Sequence, residues 1–374
     1  MAKNKAPSPA RPELAHLQRP SAEVLHADEL ARLAAADAHA PRPGGWRLTP
    51  RSVLRFILGD SKDNIESKFV GTQSFVERCI VALATNRGLM LVGEPGTAKS
   101  YLSELLAAAI SGDSTLIIQG SAGTTEDAMK YSWNYALLLA EGPTDRALVP
   151  APLYRGMRDG KLVRFEEITR CPLEIQDTLL SILSDRVMAI PEREDAGRTL
   201  YAKTGFNVIA TANTRDRGVN EMSAALKRRL NFETVQPIPR IEDEMALVQQ
   251  ESTRLLQHAG IPLTVPPDLT EILLTTFHEL RTGKTGDDSK AIEPLSTVLS
   301  TAEAVSVAYA TGLHAYFYSA GRVTADHLMQ SLLGSALKDS AEDLKRLQHY
   351  FHHVVKPRKG GRWPEFYEAM KFLP

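Results

Sequence analysis

Short apolar runs alternate with helical stripes of apolar residues over residues 77–213. The runs, each typical of a strand buried on both faces, are 88–93, 114–120, 161–167 and 206–213. Helices are predicted over residues 77–86, from Lys99 to Ile110, and after Pro172, where Ile175, Leu179, Ile182 and Leu183 form one stripe. Strands that alternate with helices predict a parallel sheet flanked by helices on both faces.

The pattern changes after Pro237 and Pro239, where no convincing strand follows. Helical stripes replace the strands: Leu269, Ile272, Leu273 and Leu280; then Leu295, Val298, Leu299 and Ala302; then Leu328 and Leu332. We therefore expect an α/β core over residues 46–236 and an all-helical lid subdomain over residues 237–348. Residues 1–45, rich in Ala, Pro and charge, are expected to be a disordered arm, and residues 349–374 a basic and aromatic tail.

Composition and charge narrow the class of protein. The 374 residues, 43% hydrophobic and 24% charged, suit one α/β domain with a smaller satellite. The formal net charge of -1 provides no overall basic field, so nucleic acid is not expected as a partner. The two cysteines, Cys79 and Cys171, exclude a disulfide framework and favour a reducing compartment. No apolar run approaches the ~20 residues that span a bilayer, so we expect no membrane insertion and a cytoplasmic location.

The segment GEPGTAKS, Gly93–Ser100, stands between a predicted strand and a predicted helix and has the spacing of a phosphate-binding loop. Glycines let backbone N–H groups approach phosphate oxygens, and a helix N-terminus favours the anion. Lys99 is expected to reach the β- and γ-phosphates of ATP, and the Ser100 hydroxyl to ligate Mg²⁺. The expected nucleotide-binding set here is Gly93, Glu94, Pro95, Gly96, Thr97, Ala98, Lys99, Ser100 and Tyr101. Ala98 replaces the usual glycine, and its methyl group is expected to be compatible with a helical first turn.

Polar side chains end two more of the predicted strands. Glu166 and Glu167 close the run LVRFEE, and Asn213 closes VIATAN. Because side chains at the carboxyl ends of parallel strands face the ligand crevice, we expect all three near the phosphates. Glu166 is expected to hold Mg²⁺ through water, and Glu167 to polarise the attacking water, which Asn213 orients. The usual pair is Asp-Glu, so Glu166 has a longer arm than the usual acid.

In this order the motifs resemble the AAA+ superfamily and, within it, the MoxR-like ATPases. The segment FVGTQSFVERCIVALATNRGLMLVGEPGTAKS is similar to the family's opening, in which Val70 and Gly71 would lie against the adenine. LVRFEEITRCPLEIQDTLLSIL is similar to the acidic motif with its following helix, and VIATANTRDRGVNEMSAALKRRL to the sensor strand through the arginine-finger helix. The fold that the resemblance implies is a P-loop AAA+ core followed by a helical lid.

The resemblance also implies an assembly, a ring that is commonly hexameric, with nucleotide bound between neighbouring subunits. Arg228 or Arg229 would then reach the γ-phosphate of the next subunit, and the sequence leaves open which of them does so. A lid arginine is implied too, but PLSTVLSTAEAV (Pro294–Val305) contains none, so either another residue, for example Arg281, replaces it or the contact is absent. The implied output is chaperone-like remodelling or activation of a partner protein, commonly one with a von Willebrand A domain.

Two other functions stay open at this point. A nucleic-acid motor would use the same ATP chemistry, although the net charge of -1 argues against it. A nucleotide switch or scaffold without hydrolysis is suggested by Ala98, by Glu166 and by the missing lid arginine.

Overall fold

The computed structural model describes residues 18–213, 220–286, 291–338 and 340–374. The chain divides into two compact units. The first runs to Gly93 and from Lys99 to Val235, and the second comprises Gln236–Pro374 together with the loop Glu94–Ala98.

The first unit contains eleven of the described α-helices and all nine described strands. Its helices are α1 (Ala22–Leu25), α2 (Ala27–Ala36), α3 (Pro50–Leu58), α4 (Gln73–Ala84), α5 (Lys99–Ser111), α6 (Glu126–Met129), α7 (Tyr135–Glu141), α8 (Pro152–Asp159), α9 (Leu173–Asp177), α10 (Leu179–Ser184) and α11 (Ala224–Lys227). Its strands are β1 (Gly88–Gly93), β2 (Ile117–Gln119), β3 (Tyr131–Trp133), β4 (Leu148–Pro150), β5 (Leu162–Glu166), β6 (Val187–Ala189), β7 (Thr199–Tyr201), β8 (Asn207–Asn213) and β9 (Leu230–Val235).

Five of these strands form a sheet in the order β2-β5-β8-β1-β9, in which every pairing is parallel. The strands β5 and β8 are buried almost throughout, as their continuous apolar runs predict. The predicted parallel α/β fold is therefore confirmed. The sequence did not predict strand β9. It lies at the sheet edge, and its sequence LNFETV mixes exposed polar residues with buried ones, so it lacks the continuous apolar run that marks the central strands. Two antiparallel hairpins, β3–β4 and β6–β7, complete the unit.

Helix α5 carries the end of the phosphate loop and is apolar on nearly all sides. Leu102, Leu105, Leu106 and the alanines 107–109 are buried in one core cluster. A helix of this composition needs cover on every face, and α1, α3 and the strand β5 pack against it. The helix start at Lys99 is thus held firmly at the sheet.

Residues 18–45 are not part of the disordered arm that composition suggested for residues 1–45. Residues 1–17 lie outside the described part of the chain, but α1 and α2 follow at once. Leu30 and Leu33 on α2 are fully buried in the core cluster that also contains α5. The prediction failed because alanine is a strong helix former, and the two buried leucines of α2 dock that helix on the core.

The second unit is helical, and its described residues contain no strand. It comprises α12 (Ile241–His258), α13 (Pro267–Thr282), α14 (Thr301–Tyr318), α15 (Ala325–Ala336), α16 (Ala341–Tyr350), a π-helical turn (Phe351–Val355), α17 (Trp363–Glu368) and a 3₁₀ turn (Ala369–Phe372). No helix in the described ranges is long and apolar enough to cross a membrane.

Two expectations for this unit are wrong. Residues 349–374 are not a separate tail, because Tyr350, Phe351 and Phe366 are buried in the same core cluster as α13 and α15. The stripe from Leu295 to Ala302 is not one helix. A capping box at Ser300 starts α14, and Leu295 and Leu299 are buried from the loop before it.

Candidate functional site

The phosphate-binding segment connects β1 to α5. Strand β1 ends at Gly93 and α5 begins at Lys99, the strand-loop-helix context that gives the motif its meaning. The Thr97 hydroxyl donates to the Glu94 carbonyl at 2.9 Å, and Gly96 has a φ of 77°. The buried Lys99 ammonium donates to the Gly93 carbonyl at 3.2 Å, which folds the lysine across the loop.

Ala98 differs from what the sequence predicted. Its φ is 64°, so it adopts the left-handed conformation and not the first turn of a right-handed helix. An L-residue with a Cβ carries a penalty of roughly 1–2 kcal/mol in this region, whereas glycine does not. Glycine is usual at this position because the loop requires a positive φ. Ala98 adopts the same φ, and its backbone is therefore strained.

Glu166 ends β5, and hydrogen bonds occupy almost all of its carboxylate. Oε2 accepts from the hydroxyls of Ser100 at 2.6 Å and Thr211 at 2.8 Å. Oε1 lies 2.7 Å from the Ser103 hydroxyl and 3.0 Å from Arg164 Nη2. Only 5% of Glu166 is exposed, so these groups replace water. The predicted proximity of Ser100 and Glu166 is therefore present in the structure.

Arg164, Ser103 and Thr211 were not among the predicted site residues. Arg164 is 5% exposed in the middle of β5, between the apolar side chains of Val163 and Phe165. A charged residue inside a strand that is buried on both faces requires a partner, and this was the signal in the sequence. Ser103 and Thr211 gave no comparable signal, because hydroxyl residues occur throughout helices and strands.

Glu167 follows β5 and has a φ of 54°, an unusual conformation for glutamate. Its N–H donates to Thr211 Oγ1 at 3.0 Å, and its carboxylate pairs with Arg170 at 2.8 Å. The backbone of β2 approaches closely here, since Gly120 N–H donates to the Glu166 carbonyl at 2.7 Å. A Cβ at Gly120 would lie 2.3 Å from the Glu167 carbonyl oxygen, so only glycine fits.

Asn213 lies beside the start of the phosphate-binding loop. It is the Cα partner of Gly93 in the pairing of β8 with β1. Residues 214–219, which belong to the predicted sensor-to-finger segment, lie outside the described chain. Lys99, Ser100, Glu166, Glu167 and Asn213 are thus brought to one edge of one sheet, at the carboxyl ends of β1, β5 and β8.

The two candidate finger arginines differ in their surroundings. Arg229 donates from Nη1 to the Ala225 carbonyl at 2.7 Å and from Nε to the Ser184 hydroxyl. Arg228 is exposed, and no hydrogen bond or ion pair to its guanidinium is present within the described part of the chain. Both precede β9, whose register with β1 runs from Gly88–Leu230 to Gly93–Val235.

The remaining predicted residues are on α4, α5 and α13 or directly before them. Val70 and Gly71 precede Thr72, the N-cap of α4, and Tyr101 is half-buried on α5. Arg281 on α13 donates to the Leu299 carbonyl at 3.3 Å and lies 3.7 Å from Glu244, so its guanidinium is engaged inside the helical unit. A contact of Val70 or Gly71 with adenine stays a prediction.

The residues at this edge fit a magnesium–nucleotide complex. The Ser100 hydroxyl has its proton directed to Glu166, which leaves its oxygen lone pairs for a cation. The positive φ at Gly96 and Ala98 gives the backbone the shape in which successive N–H groups turn inward. Glu166 and Glu167 supply the carboxylates that a magnesium–phosphate site needs.

Comparison with known proteins places this architecture in a family. Residues 88–230 match the AAA domain of the dynein-related subfamily, and residues 242–373 match the YehL-like AAA+ ATPase C-terminal domain. The uncharacterized protein YehL of Escherichia coli is 56% identical over 363 residues, which is 97% of this chain and 99% of that protein. The chain belongs to the YehL-like AAA+ ATPases. The resemblance to AAA+ proteins is thereby confirmed.

The chain also has a distant similarity in sequence to one chaperone and in fold to one solved structure. Chaperone MoxR1 of Mycobacterium tuberculosis is 25% identical over 252 residues, 64% of this chain and 57% of MoxR1, so the predicted MoxR likeness is confirmed as a distant relationship. The crystal structure of NtrX from Brucella abortus in complex with ADP superposes with a TM-score of 0.50 at 16% identity. This match covers 81% of the chain and 66% of the NtrX chain, and it supports the fold alone.

Proposed function

We propose that this YehL-like AAA+ ATPase binds Mg²⁺–ATP and hydrolyses it at the interfaces of a ring to remodel or activate a partner protein. The observation that carries the proposal is the convergence of Lys99, Ser100, Glu166 and Asn213 at the edge where β1, β5 and β8 end. The name of a distant relative supports it too, since MoxR1 is named a chaperone.

Each residue has one task in the proposed reaction. The backbone N–H groups of the loop and the Lys99 ammonium bind the phosphates. Glu167 polarises the attacking water, and Asn213 orients it toward the γ-phosphate. Ser100 would hold Mg²⁺, with Glu166 accepting the Ser100 proton behind it, and the bound metal would neutralise charge on the phosphate oxygens.

The position of Arg228 supports the proposed ring. In the parallel pairing of β9 with β1, Leu230 lies opposite Gly88 and Val235 opposite Gly93. Arg228 therefore precedes the amino end of β9, while the phosphate loop follows the carboxyl end of β1. The edges are separated by five residue steps, roughly 16 Å at about 3.3 Å per residue. Arg228 is thus too far from its own chain's loop and would serve a neighbouring subunit.

A mixing experiment tests this proposal directly. Glu167→Gln removes the water-activating carboxylate, and Arg228→Ala removes the finger, so each variant alone should be inactive while still binding ATP. In a mixed ring, an Arg228→Ala chain provides Glu167 and its Glu167→Gln neighbour provides Arg228. Random mixing in equal amounts should restore about a quarter of the wild-type interfaces, because both intact groups must meet at one heterologous interface. Mass photometry of the same samples gives the subunit number.

The controls separate the alternatives. Wild-type turnover no faster than that of Glu167→Gln would favour a switch or scaffold without hydrolysis. Activity of wild type with no recovery on mixing would exclude the trans finger but leave ATP hydrolysis standing. The client is sought by capture on ATP-bound Glu167→Gln, where recovery of nucleic acid alone would favour a nucleic-acid motor.

A further inference from the structure

We propose that Arg164 is a positioning residue for magnesium: it fixes the first turn of α5 against Glu166, so that the Ser100 hydroxyl presents its oxygen to the metal. The proposal rests on the proposed Mg²⁺–ATP site and adds a residue to it. Arg164 touches neither nucleotide nor metal in this role and acts through Ser100, Ser103 and Glu166.

All three guanidinium nitrogens of Arg164 are engaged. Nε donates to the Ser103 hydroxyl at 2.8 Å, and Nη1 donates to the Ser114 carbonyl at 3.1 Å. Nη2 donates to the Ser100 carbonyl at 2.8 Å and to Glu166 Oε1 at 3.0 Å. The side chain thus bonds α5 at two points, Ser114 in the segment between α5 and β2 at one, and the acid of its own strand. A planar fork of five N–H groups can do this, whereas a lysine ammonium is a single point of attachment.

The hydrogen bonds around Glu166 determine how this acid acts on a metal. Thr211 Oγ1 accepts from Glu167 N–H, so its own proton is free for Glu166 Oε2. Ser100 is the second donor to Oε2. Arg164 donates to Oε1, and the single Ser103 proton lies within hydrogen-bond distance of both Oε1 and the Ser100 carbonyl. A carboxylate offers about four lone-pair sites, and four donor groups surround the carboxylate of Glu166. Glu166 therefore acts on the metal through the Ser100 hydroxyl, whose proton it accepts.

Two effects of removing Arg164 oppose each other. Loss of its charge alone would leave Glu166 more attractive to a cation and would strengthen Mg²⁺ binding. Loss of its bonds would leave the Ser100 carbonyl and the Ser103 hydroxyl bonded to each other but no longer anchored by the guanidinium, and would weaken Mg²⁺ binding. The geometry favours the second effect, because three of the four bonds go to uncharged groups, two on α5 and one at Ser114 before β2. The sign of the change therefore distinguishes positioning from simple charge compensation.

The experiment measures ADP affinity by calorimetry with and without Mg²⁺, in full-length wild type and Arg164→Met. We expect the Mg²⁺-dependent gain in affinity to fall by roughly 10–100-fold, as for other groups that orient metal ligands. Affinity for metal-free ADP should change little, since Lys99 and the loop backbone are untouched. An undiminished or larger gain in a folded Arg164→Met protein would overturn the proposal.

Arg186→Met is the matched control. Arg186 also donates to two carbonyls in the same unit, Asn86 at 2.6 Å and Phe206 at 3.4 Å, at the amino ends of β1 and β8. It should leave the Mg²⁺-dependent gain unchanged, and a loss equal to that of Arg164→Met would count against a specific role.

Folding is checked by cooperative thermal unfolding. If Arg164→Met does not fold, Arg164→Lys is measured instead. Lysine keeps the positive charge but lacks the planar guanidinium, so the Mg²⁺-dependent gain in ADP affinity should still fall. A gain equal to that of wild type would overturn the proposal. Wild type that binds no ADP with Mg²⁺ would instead overturn the proposed function, and this inference with it.

Discussion

Glu167 and Arg170 form an ion pair, with 2.8 Å between the carboxylate Oε2 and the guanidinium Nε. The carboxylate proposed to activate water is therefore held by a cation three residues along the chain. Both side chains are partly exposed, so the pair is worth no more than about 1 kcal/mol.

Arg170→Met should accordingly raise basal ATP turnover, by up to about fivefold, because Glu167 no longer has to leave this partner. Steady-state phosphate release measures the effect. Arg158→Met, which breaks the exposed pair with Asp159, is the control and should leave turnover unchanged. Slower turnover in Arg170→Met would mean that Arg170 assists the reaction and does not restrain it.

The left-handed backbone at Ala98 predicts that glycine is better tolerated there than alanine. Ala98→Gly should raise the free energy of unfolding by up to about 1 kcal/mol, since relief of the positive φ exceeds the added chain entropy. The same exchange at Ala107, buried in the middle of α5, should lower it by at least about 1 kcal/mol. Urea unfolding of both variants tests the contrast, which disappears if both are destabilised alike.

Arg228 and Arg229 should separate into a functional and a structural residue. Arg228→Ala should lower turnover by at least ~10³-fold without changing the unfolding midpoint, as expected for a finger exposed on the free subunit. Arg229→Ala should lower stability, because it loses its bonds to Ala225 and Ser184. The reverse assignment would follow if Arg229→Ala were stable and inactive while Arg228→Ala stayed active.

Glu279 ties the C-terminal segment to the helical unit. It is 2% exposed and accepts from Tyr350 Oη at 2.7 Å and Arg358 Nη2 at 2.5 Å. Arg358→Met leaves this carboxylate buried without its cation and should cost roughly 3 kcal/mol of unfolding free energy. Lys371→Met, which breaks an exposed pair with Asp326, should cost less than about 1 kcal/mol. Equal costs in denaturant titrations would contradict the buried role of Glu279.

His327 should make the helical unit less stable in mild acid. Burial and the neighbouring His314 lower the pKa of His327 from 6.5. Nδ1 accepts from Thr324 N–H at 3.2 Å, which suits the neutral ring. The unfolded chain therefore takes up a proton first, and stability is lost as the pH falls below 6.5. Urea midpoints at about pH 7.5 and about pH 5.5 should differ more for wild type than for His327→Gln. Equal differences would exclude His327 as the cause.

The central sheet was predictable from sequence because buried parallel strands leave continuous apolar runs. Gly88–Gly93 is a strand with the predicted bounds, and Asn207–Asn213 begins one residue late. β9 was missed, since an edge strand with alternating burial lacks this signal. The helical start of the N-terminal segment was missed because a composition average hides two well-placed leucines.

The candidate site was predictable where a motif fixes residue types, as for Lys99, Ser100 and Glu166. The φ of Ala98 was not, because one residue letter does not report the backbone conformation that a loop imposes. The partners of Glu166 required the structure as well. Ser103 and Thr211 come from a helix and a strand far apart in sequence, and only their packing brings both hydroxyls to one carboxylate.

The short helix α1 reaches the far side of the same network. Glu23 accepts from the Ser114 amide at 3.2 Å and from its hydroxyl at 2.7 Å, and the Ser114 carbonyl receives Arg164. Trimming the chain for crystallisation at Trp46, where the globular pattern begins, would remove this outer layer and admit water behind the arginine. A shortened protein of that kind is consequently a poor stand-in for the intact one when metal affinity is measured.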